Sequence, residues 1–101
     1  MSTLPSIRAK MYLLPTEEGG RQSPIRSGYR PPIFVGSDHS SAYDAVIEIE
    51  GRDEASPGEE CHVRIRFLHP EFLRDTVKAG VSFEVWDGRV IARGSFIEAR
   101  Q

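Results

Sequence analysis

Several stretches of this sequence hold residue types able to do chemistry. Ser37-Asp38-His39-Ser40-Ser41 contains the residue types of a hydrolytic triad. A triad needs nucleophile, base and orienting acid in hydrogen-bonding order in space, which adjacency along the chain does not supply. No catalytic residue is therefore assigned. Cys61 and His62 are metal-ligand types, but neighbours on a strand point to opposite faces, and His69 before Pro70 is equally isolated. Neither a metal nor any other cofactor is expected. Glu17-Glu18 and Glu59-Glu60 sit in turns, where solvation accounts for carboxylates. No Gly-x4-Gly-Lys-Ser/Thr loop runs from a strand into a helix, so nucleotide binding and hydrolysis are not expected.

The stretch from Glu17 to Pro31 is the informative one. Residues 17–31 read Glu-Glu-Gly-Gly-Arg-Gln-Ser-Pro-Ile-Arg-Ser-Gly-Tyr-Arg-Pro, which places Arg21, Arg26, Arg30 and Tyr29 in a loop free of acids after Glu18. Arginine offers a planar, bidentate fork to phosphate and carboxylate, so the loop can hold an RNA backbone or an acidic protein surface. The competing reading is structural, with Tyr29 and Arg30 pinned internally between strands. Eleven arginines against two lysines suit fixed bidentate contacts, but the net charge of −2 argues against a strong sequence-blind grip on nucleic acid.

The elements that must position this loop are strands. Ile7, Ala9, Met11 and Leu13 alternate with Arg8, Lys10 and Tyr12, and Pro15 ends the run. Thr16 to Gly20 then turns tightly. Four breakers between Arg21 and Pro32 exclude a regular central strand, after which Ile33-Phe34-Val35 starts a second one. Residues 43–50 alternate, with Val46 breaking the polar side. Ser56-Pro57-Gly58-Glu59 reverses the chain. Cys61, Val63, Ile65 and Phe67 form the most regular period-2 run and should line the core.

Asp87-Gly88 between alternating runs predicts a two-residue hairpin turn. That turn pairs Trp86 with Arg89, Val85 with Val90 and Phe83 with Ala92, placing Val81, Phe83, Val85, Val90, Ala92, Gly94 and Phe96 on one face. Five or six short strands, with at most one helical turn in residues 71–78, predict an all-β closed barrel rather than a sandwich. One domain over residues 1–101 is expected, with a flexible lead at 1–6 and the barrel at about 7–99. No apolar run is long enough to span a bilayer, no signal-peptide pattern opens the chain, and the lone Cys61 suits a reducing compartment. These features predict a cytoplasmic protein with no membrane partner.

Glu17-Glu18-Gly19-Gly20-Arg21 followed by Gly28-Tyr29-Arg30-Pro31 resembles the C-terminal barrel domain of translation elongation factor Tu. The likeness continues through Met11-Tyr12-Leu13, Pro57-Gly58-Glu59, Leu68-His69-Pro70 and Gly88-Arg89-Val90-Ile91-Ala92-Arg93-Gly94, and it covers roughly residues 7–99. It implies a six-stranded antiparallel barrel in which Gly19, Gly20, Gly28, Tyr29, Arg30 and Pro31 form the structural motif. In the full factor this domain packs beside a second barrel, meets the GTPase domain and touches the T-arm of aminoacyl-tRNA. By resemblance, Arg21 matches a tRNA-contacting arginine, Gln22 stands where a histidine is usual, and Asp87-Gly88 occupies part of a loop that approaches the tRNA backbone. Pro32 replaces a glutamine, Asp87 replaces a glycine, and residues 36–42 lack a threonine-rich connection. The lost amide and hydroxyls remove groups that meet phosphate.

Two functional expectations follow. One is a non-catalytic, translation-associated module that presents Arg21, Gln22, Arg26, Asp87, Gly88 and Arg89 to tRNA, the ribosome or another translation factor. The other is a protein-interaction or decoy domain that offers an elongation-factor-like surface to a protein partner. Beside these two stands a relic role unrelated to translation, since fold does not determine function.

Overall fold

The computed structural model describes residues 6–73 and 76–98. Six strands close on themselves: β1 (Ser6–Leu13), β3 (Pro32–Val35), β4 (Tyr43–Ile49), β6 (Glu60–Phe67), β7 (Ser82–Trp86) and β8 (Val90–Phe96). Their order around the barrel is β1-β6-β4-β3-β7-β8, all pairs antiparallel, and β8 returns to β1. Two-residue strands β2 (Ile25–Arg26) and β5 (Glu54–Ala55) pair with each other outside the barrel. Among the described residues no helix is long and apolar enough to cross a membrane.

The alternation read from β1 and β6 decides the core. Ile7 faces Ile65, Ala9 faces Val63 and Met11 faces Cys61, and all six are buried. Their outward neighbours carry the charges. Arg8 makes a bidentate pair with Glu50 at 2.9 Å, Arg64 reaches the same carboxylate at 3.3 Å, and Arg66 meets Glu48 at 3.5 Å. The Arg8 hydrogen bond holds the Glu50 carboxyl below its ordinary range. Several basic side chains on this wall are thus already matched by acids.

Phe67, Phe83 and Phe96 fill the centre, with Phe83 and Phe96 ring centroids 4.9 Å apart. Gly94 makes room for them, because a Cβ there would lie 2.5 Å from Cζ of Phe83 and 2.3 Å from the Lys10 carbonyl oxygen. The face shared by Phe83, Val85, Ala92 and Phe96 agrees with the pattern.

The β7–β8 register does not. Val85 pairs with Ala92 and Phe83 with Gly94, while Trp86 pairs with Val90, so Ile91 is an extra residue in β8. The turn holds three residues, Asp87-Gly88-Arg89, with Gly88 at φ 74° and the Asp87 N–H donating to the Arg89 carbonyl at 2.8 Å. A three-residue turn with a left-handed glycine, relieved by a bulge, is an alternative to the two-residue turn that the Asp-Gly pair suggested. Its consequence is that Ile91 is buried, whereas Val90 is only half-buried. Of the other expectations, the segment at 71–78 opens with a 3-10 turn at Pro70–Leu73. Ser6 already belongs to β1, and the remainder of the expected flexible lead lies outside the described residues.

Candidate functional site

The loop between β1 and β3 begins with a tightly wound turn. Pro15 accepts hydrogen bonds from Glu18 N at 2.9 Å and Gly20 N at 3.0 Å, and Gly19 takes φ 95°. Gly20 lies against the preceding backbone so closely that a Cβ would sit 2.0 Å from the Leu14 carbonyl oxygen. Thr16 Oγ1 then donates to the Arg21 carbonyl at 2.6 Å. The two glycines and Thr16 together fix where Arg21 leaves the barrel end.

The loop returns along β4. Gly28, at φ 95°, donates to the Ile47 carbonyl at 2.8 Å, Ile47 N donates to Tyr29 O at 2.8 Å, and Ala45 N donates to Pro31 O at 3.2 Å. Gly-Tyr-Arg-Pro therefore extends β3 alongside β4, with Pro31 buried and Arg30 exposed. This corrects the internal position expected for Arg30. We predict that Arg30→Ala changes stability by no more than about 0.5 kcal/mol, as for surface substitutions without a special role, and urea unfolding checks it.

Tyr29 is the residue held in place. Its ring lies under the Arg21 guanidinium, 5.2 Å from Cζ, and its hydroxyl donates to Asp87 Oδ2 at 3.2 Å. Arg21 Nη1 lies 3.4 Å from the same oxygen, and Nη2 donates to Ser23 Oγ at 3.2 Å. The Arg21 side chain is 25% exposed and that of Asp87 54%. Burial, followed by the Asp87 charge, pushes the Tyr29 phenol above its ordinary range.

Beside this trio opens a cleft of about 610 Å³ lined by Arg21, Ser23, Arg26, Tyr29 and Glu54 among others. Arg26 pairs across the small sheet with Glu54. Gln22, Gly88 and Arg89 are exposed. The structure thus brings Arg21, Arg26 and Tyr29 to one cleft, with Asp87 at its edge. The loop itself carries no acid after Glu18, but the fold supplies two from elsewhere: Asp87, 66 residues beyond Arg21, and Glu54, 28 beyond Arg26. Ser23 and Glu54 were missed as lining residues; nothing local to either marks it.

His39 has a different setting. Its Nε2 lies 2.6 Å from Glu84 Oε1 and its ring 4.9 Å from Phe34, while Ser40 N and Oγ both donate to Asp38 Oδ1. The triad residue types are therefore not in catalytic order. Among the described residues, no cluster of three His, Cys, Asp or Glu could hold a metal ion.

A sequence profile of the elongation factor Tu C-terminal domain matches residues 1–98. The chain belongs to the elongation factor Tu C-terminal domain family. This is a domain of a translation factor, and its six-stranded antiparallel barrel is the fold seen here. In this member of the family, Glu-Glu-Gly-Gly-Arg forms the tight turn that launches Arg21, and Gly-Tyr-Arg-Pro anchors Tyr29 beneath it.

Proposed function

We propose that this elongation factor Tu C-terminal-like domain acts as a non-catalytic, translation-associated binding module. It meets an RNA backbone, that of tRNA or ribosomal RNA, with the 21–30 loop and the 87–89 turn, and it carries no nucleotide chemistry. The observation that carries this reading is the convergence of Arg21 and Arg26 on one cleft of a translation-factor barrel. Phosphate contacts set affinity and its salt dependence, and two or three arginines predict a weak, easily salted-out complex.

An RNA hairpin patterned on a tRNA T-arm, followed by fluorescence anisotropy, tests it. Three phosphate contacts give a log–log salt slope of about −2 to −3, at roughly 0.7 to 0.9 per phosphate. Replacing Arg21 and Arg26 with Ala should flatten that slope by about 1.5 units. The stability cost should stay within about 1 kcal/mol, since the Arg21–Asp87 pair is a surface ion pair. Absence of salt-sensitive binding near physiological ionic strength would end the RNA reading.

One observation favours a protein partner instead. Trp86 is 38% exposed, stands edge-on to Phe34 at 5.7 Å, and lies on the same wall as the Arg93–Glu84 pair. Tryptophan and arginine are the residues over-represented where protein interfaces concentrate their binding energy. On this reading Trp86→Ala abolishes capture of the partner, and Arg21→Ala leaves it intact.

A further inference from the structure

We infer that the Asp87 carboxylate is an intramolecular occupant of the Arg21–Tyr29 anion site, and that a phosphate group must displace it to bind. The inference rests on the RNA-facing reading of the same loop and adds a competitor built into the chain.

Asp87 Oδ2 accepts from the Tyr29 hydroxyl at 3.2 Å and lies 3.4 Å from Arg21 Nη1. One carboxylate oxygen thus takes the place that a phosphate oxygen would take between guanidinium and phenol. The Tyr29 contact is longer than the roughly 2.5 to 2.7 Å usual for O–H···O⁻ and the Arg21 contact longer than the roughly 2.7 to 2.9 Å usual for N⁺–H···O⁻, so the occupant is loosely held. Arg21 divides its two terminal nitrogens between Asp87 and Ser23. A backbone phosphate, with two non-bridging oxygens and several lone pairs on each, can engage both nitrogens and the Tyr29 hydroxyl at once, whereas Asp87 Oδ2 meets only Nη1 and the phenol.

The backbone explains how the carboxylate gets there. The three-residue turn and the Ile91 bulge set the tip of the β7–β8 hairpin beside the 21–30 loop. At 54% side-chain exposure, Asp87 can swing into solvent when a ligand arrives. Because the competitor is tethered, its effective concentration stays high whatever the protein concentration, so the site discriminates against weak single anions and admits multiply charged backbones.

The test compares wild type with Asp87→Asn, the double variant Arg21→Ala/Asp87→Asn, and Asp44→Asn, in which an exposed acid on β4 is lost with the same change in net charge. With the T-arm hairpin at low salt, Asp87→Asn should bind about threefold to tenfold more tightly than wild type, the scale of one exposed ion pair plus the removed repulsion. Asp44→Asn should change affinity less than twofold, and loss of Arg21 should abolish the gain. A gain equal to that of Asp44→Asn, or one that survives without Arg21, overturns the inference. If no variant binds the hairpin, the RNA reading fails and the inference is judged separately. Inorganic phosphate is then titrated against the Arg21 Nε–H NMR signal. Tighter phosphate binding in Asp87→Asn than in wild type upholds the displaced occupant, and equal or absent binding in both refutes it.

Discussion

Phe83→Ala should cost about 3 to 5 kcal/mol, a large part of the roughly 5 to 15 kcal/mol available to a domain of this size. Phe83 is fully buried, its ring 4.9 Å from that of Phe96 and lying across Gly94. Truncation leaves a cavity between two strands that are fixed by their partners on both sides and cannot collapse into it. A matched pair of substitutions reports the register. Ile91→Ala should cost about 2 to 4 kcal/mol and Val90→Ala under about 1 kcal/mol, because the bulge buries the first and leaves the second half-exposed. Urea unfolding with an unchanged m-value measures all three. The reverse order for Ile91 and Val90 would restore the two-residue turn.

Gly20→Ala should cost about 2 to 4 kcal/mol and, on the proposed function, weaken binding of the T-arm hairpin. A Cβ at this position would lie 2.0 Å from the Leu14 carbonyl oxygen and 2.9 Å from that of Pro15. Both atoms belong to backbone, so no side-chain rotation relieves the clash. The turn must open, and Arg21 moves with it. Gly19→Ala is the control: its Cβ would meet nothing within 4 Å, leaving only the strain of φ 95°. That strain is about 1 to 2 kcal/mol. Equal costs for the two glycines would mean that the turn is not packed as described.

Much of the barrel was legible because strand alternation is a local signal. Ile7 to Leu13 and Cys61 to Phe67 could each be read without knowing the partner strand, and each buries the residues its period selects. The β7–β8 hairpin was legible only in part. Asp87-Gly88 suits a two-residue turn on its own, and the choice of a three-residue turn depends on how Ile91 packs and on its carbonyl accepting from Leu14 N at 3.0 Å. Neither is visible from the hairpin sequence.

The candidate site shows the same boundary more sharply. Arg21, Arg26 and Tyr29 are close in sequence, and their grouping could be anticipated. Their charge environment could not be read from residue pattern, because Asp87 and Glu54 reach the loop only after the barrel closes and β2 pairs with β5; only the family resemblance put the 87–89 turn on the same surface as Arg21. Arg30 was misplaced for a related reason. It lies between Tyr29 and Pro31, which both pack inward to some degree, but the extended backbone there turns alternate side chains outward.

The most direct test of the proposed binding surface is an amide NMR titration of the protein with the T-arm hairpin at two salt concentrations. The shifts should fall on residues 21–30 and 87–89 and shrink as salt rises. Shifts centred instead on Phe34, Trp86 and Arg93, or no salt-sensitive shifts at Arg21 and Arg26, would contradict an RNA-facing module at this cleft.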